Sequence, residues 1–75
     1  MTVQTFALDP GHDFVELNQL LKLTGLAGSG GQGKALVASG EVRVDGSVEL
    51  RKTCKIRAGQ MVTLGGAAIR VEAPR

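Results

Sequence analysis

The sequence predicts an α+β domain, and three observations carry that prediction. The chain has 75 residues, half of the roughly 150 of an ordinary domain, so it holds one small module. Near its start, Phe14, Leu17, Leu20 and Leu21 recur at helical spacing,. Beyond Gly40 the apolar period switches to two, through Val42, Val44, Val48 and Leu50. A single domain over residues 1–75 is expected, in the order strand, helix, helix, hairpin, hairpin, without repeats or a linker. A domain this short buries only about 60% of its unfolded surface, so its core must be compact.

Each element has a local reason. Thr2 to Leu8 carries Val3, Phe6 and Leu8 and reads as a short strand. Asp9-Pro10-Gly11-His12 is a turn cluster,. Asp13 stands at an N-cap position with Glu16 three residues on, a capping-box arrangement, so the first helix is expected from about Phe14 to Leu23 and to stop at Gly25,. After Gly28-Ser29-Gly30-Gly31-Gln32-Gly33, residues 34–40 read as a short helix ending at Gly40, with Leu36 and Val37 facing inward. Its start is open, because each interior glycine costs about 1 kcal/mol relative to alanine. Across Asp45-Gly46, a two-residue loop would set Val42 opposite Glu49. A three-residue loop with a bulge would place Val42, Val48 and Leu50 on one face, and that is the expectation. In the second hairpin a two-residue Gly65-Gly66 loop pairs Leu64 with Ala67 and Val62 with Ile69.

Composition excludes several function classes. Aromatic content is 3%, Phe6 and Phe14 alone, too little for a platform that stacks successive bases. The lone Cys54 forms no internal disulfide, which favours a reducing, cytoplasmic setting,. Met1 to Leu8 does not read as a signal peptide, and no apolar run nears the roughly 20 residues that cross a bilayer. No membrane partner is expected.

Gly28 to Lys34 fits GxxxxGK, and Gly28, Gly30 and Gly33 fit GxGxxG,. The first pattern needs Ser or Thr after its lysine to hold magnesium, and Ala35 stands there. Both need a strand feeding the loop, whereas Leu17 to Leu26 reads as a helix and its turn. With 11 glycines such matches are cheap, and a helix-to-helix turn that allows close packing is the better reading. His12, the single histidine, has no companion ligands and reads as a surface residue, so neither a metal nor another cofactor is expected,. Cys54 has no histidine nearby in sequence and reads as a packed thiol rather than a nucleophile. Asp45 and Gly46 serve the turn, and Leu20, Leu21, Leu36, Val37 and Ile56 serve the core.

The net charge of +2 is unevenly placed. Residues 1–33 carry Lys22 against Asp9, Asp13 and Glu16, whereas residues 34–57 carry Lys34, Arg43, Arg51, Lys52, Lys55 and Arg57 against Glu41, Asp45 and Glu49. The stretch Arg51-Lys52-Thr53-Cys54-Lys55-Ile56-Arg57 holds four basic residues and no acid. Such a run neutralises phosphates, or simply makes a solvated loop.

Several segments together resemble a known family. They are Leu20-Leu21-Lys22-Leu23, Ser29 with Gln32 and Lys34, Gly40-Glu41-Val42-Arg43-Val44-Asp45-Gly46, and Lys52, Ile56 and Gly59-Gln60-Met61-Val62. Residues from Phe14 to Val62 resemble the alpha-L RNA-binding domain, named from the fourth protein of the small ribosomal subunit. Copies occur in pseudouridine synthases, bacterial tyrosyl-tRNA synthetases and a ribosome-associated heat-shock protein. The motif core is about 14–62, and the flanking strand and hairpin suggest the short, stand-alone bacterial members.

The resemblance implies two helices packed on a small curved antiparallel sheet. It also implies a non-enzymatic module whose RNA face is the groove between the second helix and the basic loop. Lys34, Arg43, Arg51, Lys52, Lys55 and Arg57 would contact phosphates, with Ser29 and Gln32 bonding to sugar or phosphate. The RNA would be structured, such as ribosomal RNA or tRNA, read by shape, with the ribosome as a candidate setting and the protein a monomer. Three departures stand out. Gly30 replaces a usual Arg or Lys, Gly31 and Gly33 replace helix-favouring residues, and Gln60 replaces a common Asp. They shift phosphate contact toward Lys34 and the Arg51–Arg57 segment, and a glycine-rich helix start that ordered only on RNA would lower affinity. The rival class is a small adaptor docking an acidic protein.

Overall fold

The computed structural model describes residues 2–74. Strand β1 (Thr2–Ala7) is followed by a two-residue strand β2 (Val15–Glu16), helix α1 (Leu17–Leu23) and helix α2 (Gly30–Ala38). Then come β3 (Val42–Val44), β4 (Ser47–Val48), β5 (Lys55–Ile56), β6 (Met61–Leu64) and β7 (Ala67–Glu72). Five strands form one sheet in the order β1-β7-β6-β3-β4, and β2 pairs with β5 in a second, two-stranded piece. The α+β class stands, but the main sheet is mixed rather than antiparallel. β1 runs parallel to β7, with Thr2 opposite Ala67 and Ala7 opposite Glu72, while the other pairs are antiparallel.

The core sits between the helices and this sheet. Leu17, Leu20 and Leu21 of α1, Val37 of α2, and Val42, Ile56, Val62, Ile69 and Val71 of the strands are all buried. Full burial of a Leu, Ile or Val side chain is worth roughly 1.5–3 kcal/mol. Three such leucines explain how α1, only seven residues long, persists where an isolated helix of that length would not. Gly25 ends α1 at φ +81 as expected. Val62 faces Ile69 and Leu64 faces Ala67 across the Gly65-Gly66 turn, also as expected.

Other local expectations are corrected. α1 starts at Leu17 rather than Phe14, because Val15 and Glu16 are drawn into pairing with Ile56 and Lys55. Asp13 is not its N-cap. That position is Glu16, which makes no side-chain capping bond. The first amides of α1 are satisfied by the basic loop instead: Leu17 N donates to the Cys54 carbonyl at 2.9 Å and Asn18 N to that of Lys52 at 3.0 Å. Helix termini must find such partners somewhere, and here a distant segment supplies them.

The second helix starts earlier than residue 34. Ser29 caps it by accepting from Gln32 N at 3.1 Å, while Gln32 Oε1 accepts from Gly28 N at 2.6 Å. Gly33 meets α1 directly, since a Cβ there would lie 2.6 Å from the Asn18 carbonyl oxygen. The glycine thus sets how closely the helices approach. Val37 is buried, but Leu36 is only partly so.

The β3–β4 turn contradicts the predicted bulge. Asp45 (φ +50) and Gly46 (φ +87) make a two-residue turn with both central residues in the left-handed region, and Val44 pairs with Ser47,. Glu49 N donates to the Val42 carbonyl at 3.0 Å, the register the three-residue loop was meant to avoid. The premise failed because Val48 and Leu50 do not join the core; they are 47% and 60% exposed. Asp45 reinforces the turn by accepting from Met61 N at 3.0 Å and from Gln60 Nε2 at 3.4 Å. Gln60 also accepts from Arg57 N at 2.7 Å, so its amide closes the turn after β5.

Candidate nucleic-acid interface

The anchoring of the basic loop decides where its charges stand. With the Lys52 and Cys54 carbonyls held by α1, residues 50–55 are fixed beside α2. Between them lies an open groove of about 740 Å³, lined by Lys34 of α2 and by Leu50, Arg51, Lys52, Thr53, Cys54 and Lys55. Four of the seven lining residues are cationic and none is acidic, so the groove suits a polyanion. Among the described residues no cluster of three or more His, Cys, Asp or Glu side chains could hold a metal. No described helix is long and apolar enough to cross a membrane.

The charges are not equally free. Arg51 donates Nε and Nη2 to Glu49 at 3.0 and 3.1 Å, and its backbone N–H adds a third bond to the same carboxylate. This side-chain pairing, then the backbone bond, lowers the Glu49 pKa from 4.5 to about 2. Cys54 packs against the core at the groove's edge, 3.7 Å from Arg51 Nη2. Burial, then the neighbouring Glu49 carboxylate, pushes its thiol up, so it stays protonated at neutral pH.

Comparison with known proteins supplies the family. The S4-domain family model matches residues 8–72. The chain belongs to the S4-domain family. It is 52% identical over 69 residues to the Escherichia coli (strain K12) protein named "Putative RNA-binding protein YbcJ", covering 92% of this chain and 97% of that one. The Shigella flexneri protein named "Uncharacterized protein YbcJ" matches to the same extent. The solution structure of E. coli YbcJ superposes with a TM-score of 0.73 at 49% identity, covering 97% of this chain and 91% of that one. That structure is described as revealing an alpha-L motif involved in RNA binding. The alpha-L resemblance seen in the sequence therefore holds.

Within this S4 domain the eight residues expected at the interface fall into distinct groups. Lys34, Arg51, Lys52 and Lys55 converge on the groove. Arg57 lies outside its lining and pairs with Asp13 at 3.1 Å. Arg43 also stays outside, its guanidinium donating to the Gly46 carbonyl at 3.4 Å. Ser29 and Gln32 cap α2 and so fix the start of the helix that carries Lys34. Sequence reasoning missed Phe14. Read by its spacing as the start of the first helix, it instead sits beneath Lys55 Nζ, 5.0 Å from the ring centroid, and the Arg57 guanidinium, at 5.6 Å. The signal was available only through pairing: once Val15 opposes Ile56, the next residues outward are Phe14 and Arg57.

Proposed function

We propose that this S4 domain binds structured RNA, without catalysis, through the groove between α2 and residues 50–55. The observation that carries the reading is the convergence of Lys34, Arg51, Lys52 and Lys55 on one open groove without a carboxylate in its lining. Family membership and the names of the YbcJ relatives support the same ligand class. Contacts are mainly to phosphate, because lysines and one arginine on a loop and a helix read backbone charge rather than base edges. Ribosomal RNA or tRNA is the substrate class, recognised by the shape of its helices, and the protein acts as a cytoplasmic monomer.

Arg43 and Arg57 extend the basic surface beyond the groove, and Ser29 and Gln32 contribute through the cap, with hydroxyl and amide protons left to donate to the RNA backbone. The test is purification followed by absorbance at 260 nm and anisotropy titration with labelled tRNA and ribosomal RNA fragments. RNase-sensitive absorbance and submicromolar binding at 0.05 M salt are expected. Absorbance without RNase sensitivity, together with capture of an acidic protein, would mark an adaptor instead.

A further inference from the structure

Phe14 is an aromatic side chain that the core does not explain. Phe6 packs against the hydrophobic core, but Phe14 is not among the core residues or the hydrophobics packed on them. It is only partly buried, in the segment leading into β2, with two cations stacked over its ring. Lys55 also lines the groove, so the ring adjoins the proposed path of the RNA.

We propose that Phe14 is a stacking site for a single unpaired nucleotide at the end of an RNA helix seated in the groove, with Lys55 and Arg57 taking the flanking phosphates. This rests on the RNA-binding reading above and specifies its substrate as a duplex carrying an unpaired residue. The present cover of the ring is exchangeable. An exposed cation over an aromatic face is worth only a factor of about 2–5 in an equilibrium constant. A base stacked on such a ring is worth about 5- to 150-fold. The Arg57 and Asp13 side chains are 53% and 81% exposed, so their ion pair is a weak surface contact that an incoming phosphate can replace,. Arg57 then moves from a carboxylate to a phosphate and the ring from a cation to a base, without disturbing the core. One ring accepts one base, which agrees with the scarcity of aromatic residues.

The chain has no tryptophan, so Phe14→Trp creates a single fluorophore at this spot. Wild type, Phe14→Trp and Phe14→Leu are titrated with a blunt RNA duplex and with the same duplex bearing one unpaired terminal nucleotide, circular dichroism confirming the fold of each. The expected result is a wild-type preference of about 5-fold or more for the overhang. Phe14→Leu loses that preference, binding the two RNAs with equal affinity, and the overhang quenches Phe14→Trp emission more than the blunt duplex does. Equal wild-type affinity for the two RNAs, or equal quenching by both, overturns the stacking site while leaving groove binding standing. Wild type that binds neither RNA refutes the RNA-binding reading itself, and the stacking site with it.

Discussion

Glu49 competes with any ligand in the groove for Arg51, and releasing it gives a calculable gain. In Glu49→Gln the carboxylate that binds Arg51 Nε at 3.0 Å and Nη2 at 3.1 Å becomes a neutral amide able to accept from only one oxygen. Two effects then add. For an assumed separation of about 7 Å, a carboxylate beside a bound phosphate disfavours binding by about 3-fold in a water-like dielectric, and that repulsion disappears. The freed guanidinium can neutralise about one further phosphate, which steepens the slope of log K against log salt by about 0.9. Over a fourfold change in salt that slope is worth about 3.5-fold, so the advantage of the variant is greatest in dilute salt.

The expected outcome is an affinity about 3- to 10-fold above wild type at 0.05 M salt, shrinking toward parity by 0.2 M. Anisotropy with a labelled RNA hairpin reads both quantities. Adding Arg51→Gln to Glu49→Gln should abolish the gain, which a double-mutant cycle isolates. An unchanged or weaker affinity in Glu49→Gln, with the thermal midpoint and circular dichroism intact, would show that Arg51 does not face the RNA.

Four further predictions concern the scaffold of the site. Gly31→Ala, with nothing nearer than Ser29 Oγ at 3.8 Å, should stabilise the domain by about 0.5–1 kcal/mol through helix propensity. Gly33→Ala should lose that gain or reverse it in the same thermal melts, because its Cβ would meet the Asn18 carbonyl oxygen,. Glu49 has a folded pKa of about 2 against 4.5, so its contribution is complete above pH 4.5 and is lost as pH falls from 4.5 toward 2. The difference in midpoint between wild type and Glu49→Gln should therefore be constant above about pH 5.5 and shrink only in acid. The raised Cys54 thiol should react with iodoacetamide at pH 7 more slowly than free cysteine, and RNA in the groove should slow it again.

What the sequence disclosed was whatever depends on neighbours in the chain. Gly25 and Gly40 end their helices, and the Gly65-Gly66 turn fixes its own register, because the residues that decide each lie within a few positions. The concentration of charge between Lys34 and Arg57 was legible for the same reason. What it concealed depends on distant pairing. Val15 and Glu16 continue a helical pattern, yet they become a strand because Lys55 and Ile56 lie alongside. The N-terminus of α1 carries no side-chain cap of its own, since carbonyls more than 30 residues away fill that role. Val48 and Leu50 alternate like core residues but are exposed, Leu50 in the groove lining, so periodicity misled the turn assignment. The division of the basic residues was equally hidden: nothing local says that Arg51 is held by Glu49 while Lys52 is not.

The central claim is that polyanion binding belongs to the groove cations and not to the net charge of the chain. It is tested most directly by the salt dependence of binding to one structured RNA for three proteins: wild type, Lys34→Gln/Lys52→Gln/Lys55→Gln, and Arg70→Gln. Lys34, Lys52 and Lys55 line the groove, whereas Arg70 lies on the outer surface of β7. The account predicts a wild-type slope near −3 and a triple-variant slope shallower by about 2–3, with at least a 30-fold loss of affinity at 0.05 M salt, while Arg70→Gln stays within about 3-fold of wild type. Equal losses per charge removed in the two variants, or a wild-type affinity indifferent to salt, would contradict it.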